Sequence, residues 1–248
     1  MDFLNRISSF EYSIWIVCAI LYLIDHLKLL HENEIIYEQT PLGSWSFRLS
    51  KFPFSIWGKD LYLINPLFPW TCAFKVLWGE QVSPRKKKVV RERHNLFVFT
   101  YQLLHVRVAS TISFIALFIL GPCLTATRGL VFSLIMVVSV HFLSNLAMAP
   151  VLWVRRSTYR LSKAKAIFLL IENFVLFPYT AVLAKRVCLN YQIQCDGLML
   201  AKTLQPGTNF LAIREIAAER MKEQMEELAQ TPSHGKELQE YILKLRSS

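Results

Sequence analysis

Residues 108–183 read VASTISFIALFILGPCLTATRGLVFSLIMVVSVHFLSNLAMAPVLWV, then a basic RRSTYRLSKAK, then AIFLLIENFVLFPYTAVL. In water this density of Leu, Ile, Val and Phe would expose one large apolar surface. In a bilayer it divides into segments long enough to cross about 30 Å of hydrocarbon. With 53% hydrophobic residues, 17 Phe and only 8 Gly, the whole chain has a membrane-protein composition. Its 248 residues leave room for about four spans and modest extramembrane parts.

The spans are expected at 12–30, 108–124, 130–154 and 166–183. The first carries Asp25, His26 and Lys28 in its second half, so that trio must lie near headgroups or face a partner. Its flanks lack the small-residue cleavage site of a signal peptide, which argues for a retained segment. The second weakens at Gly121-Pro122, and TATRG is so short that the third must return beside it as a hairpin.

Between the first two spans the character changes. SWSFRLS alternates Trp45, Phe47 and Leu49 against polar residues at a strand period, and FPFSIWGKDLYLIN reads as a hairpin around Gly58. Asn65, Pro66, Pro69 and Lys75 interrupt LYLINPLFPWTCAFKVLW, so a crossing there would leave backbone groups unsatisfied in lipid. A short interfacial helix over 70–78 is expected instead. In the tail, Phe210, Ile213, Ala217, Met221, Met225 and Leu228 recur at helical spacing, and ELQEYILKL offers a second stripe.

These readings combine into an all-α integral membrane protein: four transmembrane helices, a small β-containing cytoplasmic insertion and a C-terminal helical hairpin. The expected divisions are 1–30, an N-terminal transmembrane helix; 31–95, the insertion with its basic loop; 96–184, a three-span core; and 185–248, a helical extramembrane tail.

The formal charge of +10 could point to nucleic acid, but the basic clusters fall beside apolar spans, where Lys and Arg concentrate for topological reasons. Nucleic acid is therefore not the expected partner. One cluster is Arg85, Lys86, Lys87, Lys88, Arg91 and Arg93; the other is Arg155, Arg156, Arg160, Lys163 and Lys165. Two crossings separate them, so they share a side, which the positive-inside rule makes cytoplasmic. Counting outward through four spans puts both termini outside, with a bacterial inner membrane as the default. The same residues suit anionic lipid headgroups, at about 1 kcal/mol per cation near an acidic leaflet.

The five cysteines show no CxxC and no Cys/His spacing for a metal, and no metal or other cofactor is expected. An external tail would let Cys188 and Cys195 close the loop LNYQIQ as a disulfide; two reduced thiols are the alternative. The chain contains no P-loop, GxGxxG, GxSxG, HExxH or HxxxxD pattern. The remaining candidates are polar residues within spans: Glu172 and Asn173 before the helix-bending Pro178, and His141 and Asn145 one turn apart. A carboxylate in a span is functional by default, whereas the His and Asn side chains also serve as ordinary interhelical hydrogen bonds.

The functional expectation is a non-enzymatic subunit or scaffold of a larger membrane assembly, with the bilayer and other membrane subunits as partners. The alternatives are an ion or small-solute channel or transporter using Glu172 and His141, and a lipid-modifying enzyme using the same pair as acid and base.

Overall fold

The structure is a computed structural model that describes residues 9–31, 33–48, 55–56, 59–78, 86–191, 193, 195–204, 210–211, 214–215 and 217–219. The chain forms two compact units. The first comprises Met1–Lys28, Leu63–Cys72 and Phe99–Tyr191; the second comprises Leu29–Tyr62, Ala73–Val98 and Gln192–Ser248.

In the first unit, helix α1 (Ser9–His26) ends where strand β1 (Leu27–Leu30) begins. Helix α2 (Lys86–Gln102) reaches this unit with its last turn. A composite helix then runs from Leu104 to Arg128 as α3 (Leu104–Ile115), a π-turn (Ala116–Leu120) and α4 (Gly121–Arg128). Pro122 explains the π-turn: it cannot donate to the carbonyl four residues back, so the ladder shifts register and the Gly121 N–H bonds to Ala116 O. Gly129, at φ 87°, reverses the chain, and α5 (Leu130–Val154) packs back along α4. Arg160, at φ 52°, closes the turn that leads into α6 (Lys163–Val175), which Ser162 caps through the Lys165 N–H at 3.2 Å. Helix α7 (Phe177–Asn190) completes the unit.

The first unit is pinned at its centre by close backbone approach. The absent Cβ at Gly121 leaves room for Trp15, whose indole N–H donates to Thr125 Oγ1 at 2.9 Å. Ser133 donates to the Gly121 carbonyl at 2.6 Å, and Tyr12 to that of Pro122 at 3.3 Å. Around this point Trp15, Leu117 and Val137 form one core cluster, while Tyr22, Ala181 and Val182 form a second.

In the second unit, β2 (Glu34–Gln39) lies between β3 (Trp45–Arg48) and β6 (Ala73–Leu77), antiparallel to both. Tyr37 stacks on Trp45 and Phe47 with ring centroids 4.4 Å away in each case, the cross-strand aromatic packing that favours a sheet. Both faces of β2 are buried. Its Glu34 is therefore held by Lys75 at 2.8 Å and by the His31 N–H at 2.9 Å, and its Glu38 accepts from Tyr62 at 3.3 Å. A second sheet has the order β1, β5 (Lys59–Leu63), β4 (Ser55–Ile56), with β4 and β5 antiparallel, Ser55 opposite Asp60 and Ile56 opposite Lys59; Gly58 of the expected hairpin lies outside the described residues. Helix α8 (Gly197–Leu204) packs on the end of β6, where a Cβ at Gly197 would meet Val76 at 3.1 Å.

This architecture corrects the expected all-α four-span protein. The described residues form helices together with two sheets, and two helices, Leu104–Arg128 and Leu130–Val154, are long and apolar enough to cross a membrane. The expected first span stops at His26 because LKLL pairs into a sheet. The expected fourth breaks at Leu176 (φ −118°, ψ 103°) into pieces of 13 and 14 residues, because Pro178 has no N–H to give the Phe174 carbonyl and its ring would clash with it in a continuous helix. Without a fourth span, the counting that placed both termini outside fails. The interfacial helix expected over 70–78 is instead strand β6, whose β-branched and aromatic residues pair with β2. The basic run 83–94 is helical from Lys86 onward rather than a loop; Arg85 lies outside the described residues, as do the side chains of Lys86, Lys87 and Lys88. Of the expected C-terminal helical hairpin, short helical pieces between residues 210 and 219 are described, and the second stripe lies outside the described residues.

Candidate functional site

The break between α6 and α7 gathers the polar residues of the apolar hairpin. Helix α5 buries Ser133, Val137, His141, Asn145, Met148 and Leu152 along one stripe, and α6 buries Ala166, Leu169 and Asn173. Both stripes face the unit interior, where α6 packs on α5 and α7. Ending α6 at Val175 leaves the Asn173 carbonyl without a helical donor at residue 177, and Pro178 has no N–H for that of Phe174. The Asn145 Nδ2 lies 3.3 Å from Asn173 O, 3.1 Å from Thr180 Oγ1, 3.0 Å from His141 O and 3.1 Å from His141 Nε2. Thr180 Oγ1 stands 3.3 Å from both Asn173 O and Asn145 Oδ1. The His141 ring also bonds the backbone at Asn173 and Phe174, and it meets Phe177 edge-on at 4.6 Å. Side chains from α5 and α7 thus replace the hydrogen bonds that the helix break removes.

At the far end of α7 lies a second polar cluster, built on the strap 63–72. Lys185 is fully buried and donates to Asn65 O and to His26 Nε2, the latter at 3.2 Å. His26 in turn holds Tyr22 O through Nδ1 at 2.8 Å. That arrangement requires a neutral ring with its proton on Nδ1. Burial, reinforced by the Lys185 ammonium, holds His26 down to about 3. Tyr22 donates to Pro66 O and Arg107 to Trp70 O, each at 2.6 Å. The strap carries two prolines and little secondary structure of its own, so these side-chain donors satisfy its carbonyls. Beside it the thiols of Cys72 and Cys188 hydrogen-bond. That bond, with Arg107 and Thr100 nearby, pulls the Cys72 thiol below its ordinary range despite burial.

Arg186, the next residue, bridges two helices. Its Nε lies 3.4 Å from Asp25 on α1 and its Nη1 3.0 Å from Glu172 on α6, while its guanidinium stacks 4.4 Å from the Tyr179 ring. Asp25 also meets Lys28 at 3.4 Å.

The structure therefore brings together His141, Asn145 and Asn173, but it does not unite Glu172 with His141: the carboxylate is the partner of Arg186. Among the second basic group, Arg155 donates to Gln102 O at 3.0 Å, Arg156 lies over Trp153 and Arg160 over Tyr191. Lys163, Lys165, Arg91 and Arg93 are exposed. The expected disulfide is not formed: Cys188 and Cys195 are both buried thiols. Sequence reasoning missed His26, Lys185, Arg186 and Cys72 as a group. The usable signal was the density of charge on short helices, Asp25 and His26 on one and Lys185 and Arg186 on another, which demanded mutual neutralisation. No protein-family model, curated protein or solved structure matches this chain.

Proposed function

We propose that this chain is an integral membrane protein, anchored by the hairpin of Leu104–Arg128 and Leu130–Val154, that serves as a non-enzymatic subunit of a larger membrane assembly. The observation that carries the reading is the apolar sleeve on α5: Val131, Ile135, Leu143 and Val154 are 73%, 59%, 64% and 73% exposed. The exposed Ile16, Val17 and Ile20 of α1 and Phe168 and Ile171 of α6 extend it within the same unit. A sleeve of this extent is too large for a water-facing surface and suits lipid. The scaffold part of the reading is supported by the interior charges: Glu172, Asp25, Arg186 and Lys185 all bind other groups of the chain, so the fold itself employs them.

In a two-helix hairpin, both basic stretches fall at the same end, and the positive-inside rule puts that end in the cytoplasm. Cysteines introduced at the exposed Thr127 and Ser157, in a Cys123→Ser background, test this with a membrane-impermeant maleimide. Thr127→Cys should label from outside and Ser157→Cys only after permeabilisation. Extraction of the chain by alkaline carbonate would overturn the membrane reading. Affinity purification from native membranes tests the subunit reading, which a partner-free monodisperse monomer would remove.

The helix break favours a second reading, transport of an ion or small solute, since unwound backbone inside an apolar bundle is where transporters place their binding sites. Flux in proteoliposomes that survives Asn145→Ala unchanged would count against it.

A further inference from the structure

We propose that the α6–α7 break binds a sodium-sized monovalent cation, held by neutral oxygens of Asn173, Phe174, Asn145 and Thr180. Around the Asn145 amide, acceptors outnumber the hydrogens it can give. Around the Asn145 carboxamide, two hydrogens serve the carbonyls of His141 and Asn173, the Thr180 hydroxyl and the His141 ring. Thr180 has one hydrogen for two oxygen neighbours, and each carbonyl keeps a second lone pair. The carbonyls also stand at the C-terminus of α6, the negative end of its dipole.

The independent observation is the side chain of Asn173. It is fully buried, yet neither Oδ1 nor Nδ2 has a hydrogen-bond partner. It lies on the stripe of α6 that faces α5 and α7, the same side on which Asn145 and Thr180 bond its backbone. A buried carboxamide without partners is unfavourable, and a ligand that uses Oδ1 offsets part of that penalty.

The donor chemistry selects the ion. Uncharged amide, carbonyl and hydroxyl oxygens suit a hard cation of single charge. Calcium and magnesium sites need carboxylates, and the nearest in sequence, Glu172, is engaged by Arg186. The inference is consistent with the transport reading but does not rest on it, because a cation could bind there in a scaffold as well.

The test uses the full chain purified in detergent at fixed pH and ionic strength. Binding of 22Na+ is measured by scintillation proximity, and thermal unfolding is followed by Trp fluorescence in sodium, potassium and choline chloride. The expected result is saturable 22Na+ binding displaced by unlabelled sodium, with a melting temperature raised by sodium and not by choline. Asn173→Leu should weaken the binding about tenfold, which corresponds to roughly 1.4 kcal/mol, while melting in choline no lower than the unsubstituted chain. Thr180→Val should weaken the binding to a smaller degree. Absence of displaceable 22Na+ binding to the unsubstituted chain, or equal melting in sodium and choline, would overturn the proposal whatever the variants do. Loss of transport with sodium binding intact would bear on the transport reading alone.

Discussion

Replacing Gly121 with Ala tests the central packing of the first unit. An ideal Cβ there would stand 2.6, 2.7 and 3.1 Å from three carbons of the Trp15 ring. The ring cannot swing away cheaply, because it is 7% exposed and its Nε1 is held at 2.9 Å by Thr125. Overpacking of this kind costs about 1–3 kcal/mol, and loss of the indole hydrogen bond adds about 1 kcal/mol. Higher helix propensity returns at most about 1 kcal/mol. The net expectation is a loss of about 1–3 kcal/mol, a fall of roughly 5- to 150-fold in the folding constant. Equilibrium unfolding by SDS titration in mixed micelles would measure it. A double-mutant cycle assigns the cause: in a Trp15→Leu background the same substitution should cost little, because the obstacle has gone. A Gly121→Ala variant as stable as the unsubstituted chain, or a cost unchanged in the Trp15→Leu background, would refute the reasoning.

Three further outcomes follow from the polar clusters. Arg186→Gln should destabilise the chain by about 3 kcal/mol, since it strands the Glu172 carboxylate and leaves Asp25 with Lys28 alone, whereas Glu172→Gln, which keeps the Asp25–Arg186 pair, should cost about 1 kcal/mol; equal costs in SDS titration would contradict the bridging role. His26 is held at about 3 in the fold against 6.5 ordinarily, so the unfolded chain takes up a proton that the folded chain refuses. Stability should therefore be full above pH 6.5 and fall as the pH drops toward 3, by up to about 1.4 kcal/mol per pH unit, and His26→Gln should flatten that slope in melting experiments. Finally, a small thiol reagent should modify exposed Cys123 in the folded protein, and buried Cys72, Cys188 and Cys195 only after denaturation; mass spectrometry of the labelled peptides reads this directly.

The hairpin was legible because its signal is local: LVFSLIMVVSVHFLSNLAMAPVLWV is apolar on every side, and α5 covers that run from Leu130 to Val154. The strand period of SWSFR was legible for the same reason. What failed were segments whose structure is decided by partners distant in sequence. AFKVL has no helical or strand preference strong enough to settle its fate, and becomes β6 only because Glu34–Gln39 is there to pair with it. LKLL likewise continues α1 by composition and leaves it by pairing. The site divided along the same line. Asn145 and Asn173 could be seen as polar residues inside apolar helices, but Lys185 meets His26 across 159 positions and Asn65 across 120. No spacing rule reaches that far.

Pro178 organises the polar seam at the start of α7. It was visible as a bend, yet its effect is larger than a bend because the carbonyls it frees sit beside the buried Asn173 and Thr180, inside the unit. Polar side chains must then converge on the break, and they do so from α5 through Asn145 and His141 and from α7 through Thr180. Further along the 14 residues of α7, Lys185 is fully buried and Arg186 largely so, and both take internal partners. Asp25, His26 and the strap 63–72 supply those partners. One proline thus accounts for the polar seam at one end of α7, while the charged cluster at the other is held by residues distant in sequence. Pro178→Ala should accordingly disturb the seam and leave the second cluster intact, so that cysteine accessibility at Cys188 stays unchanged while the chain's stability in SDS titration shifts.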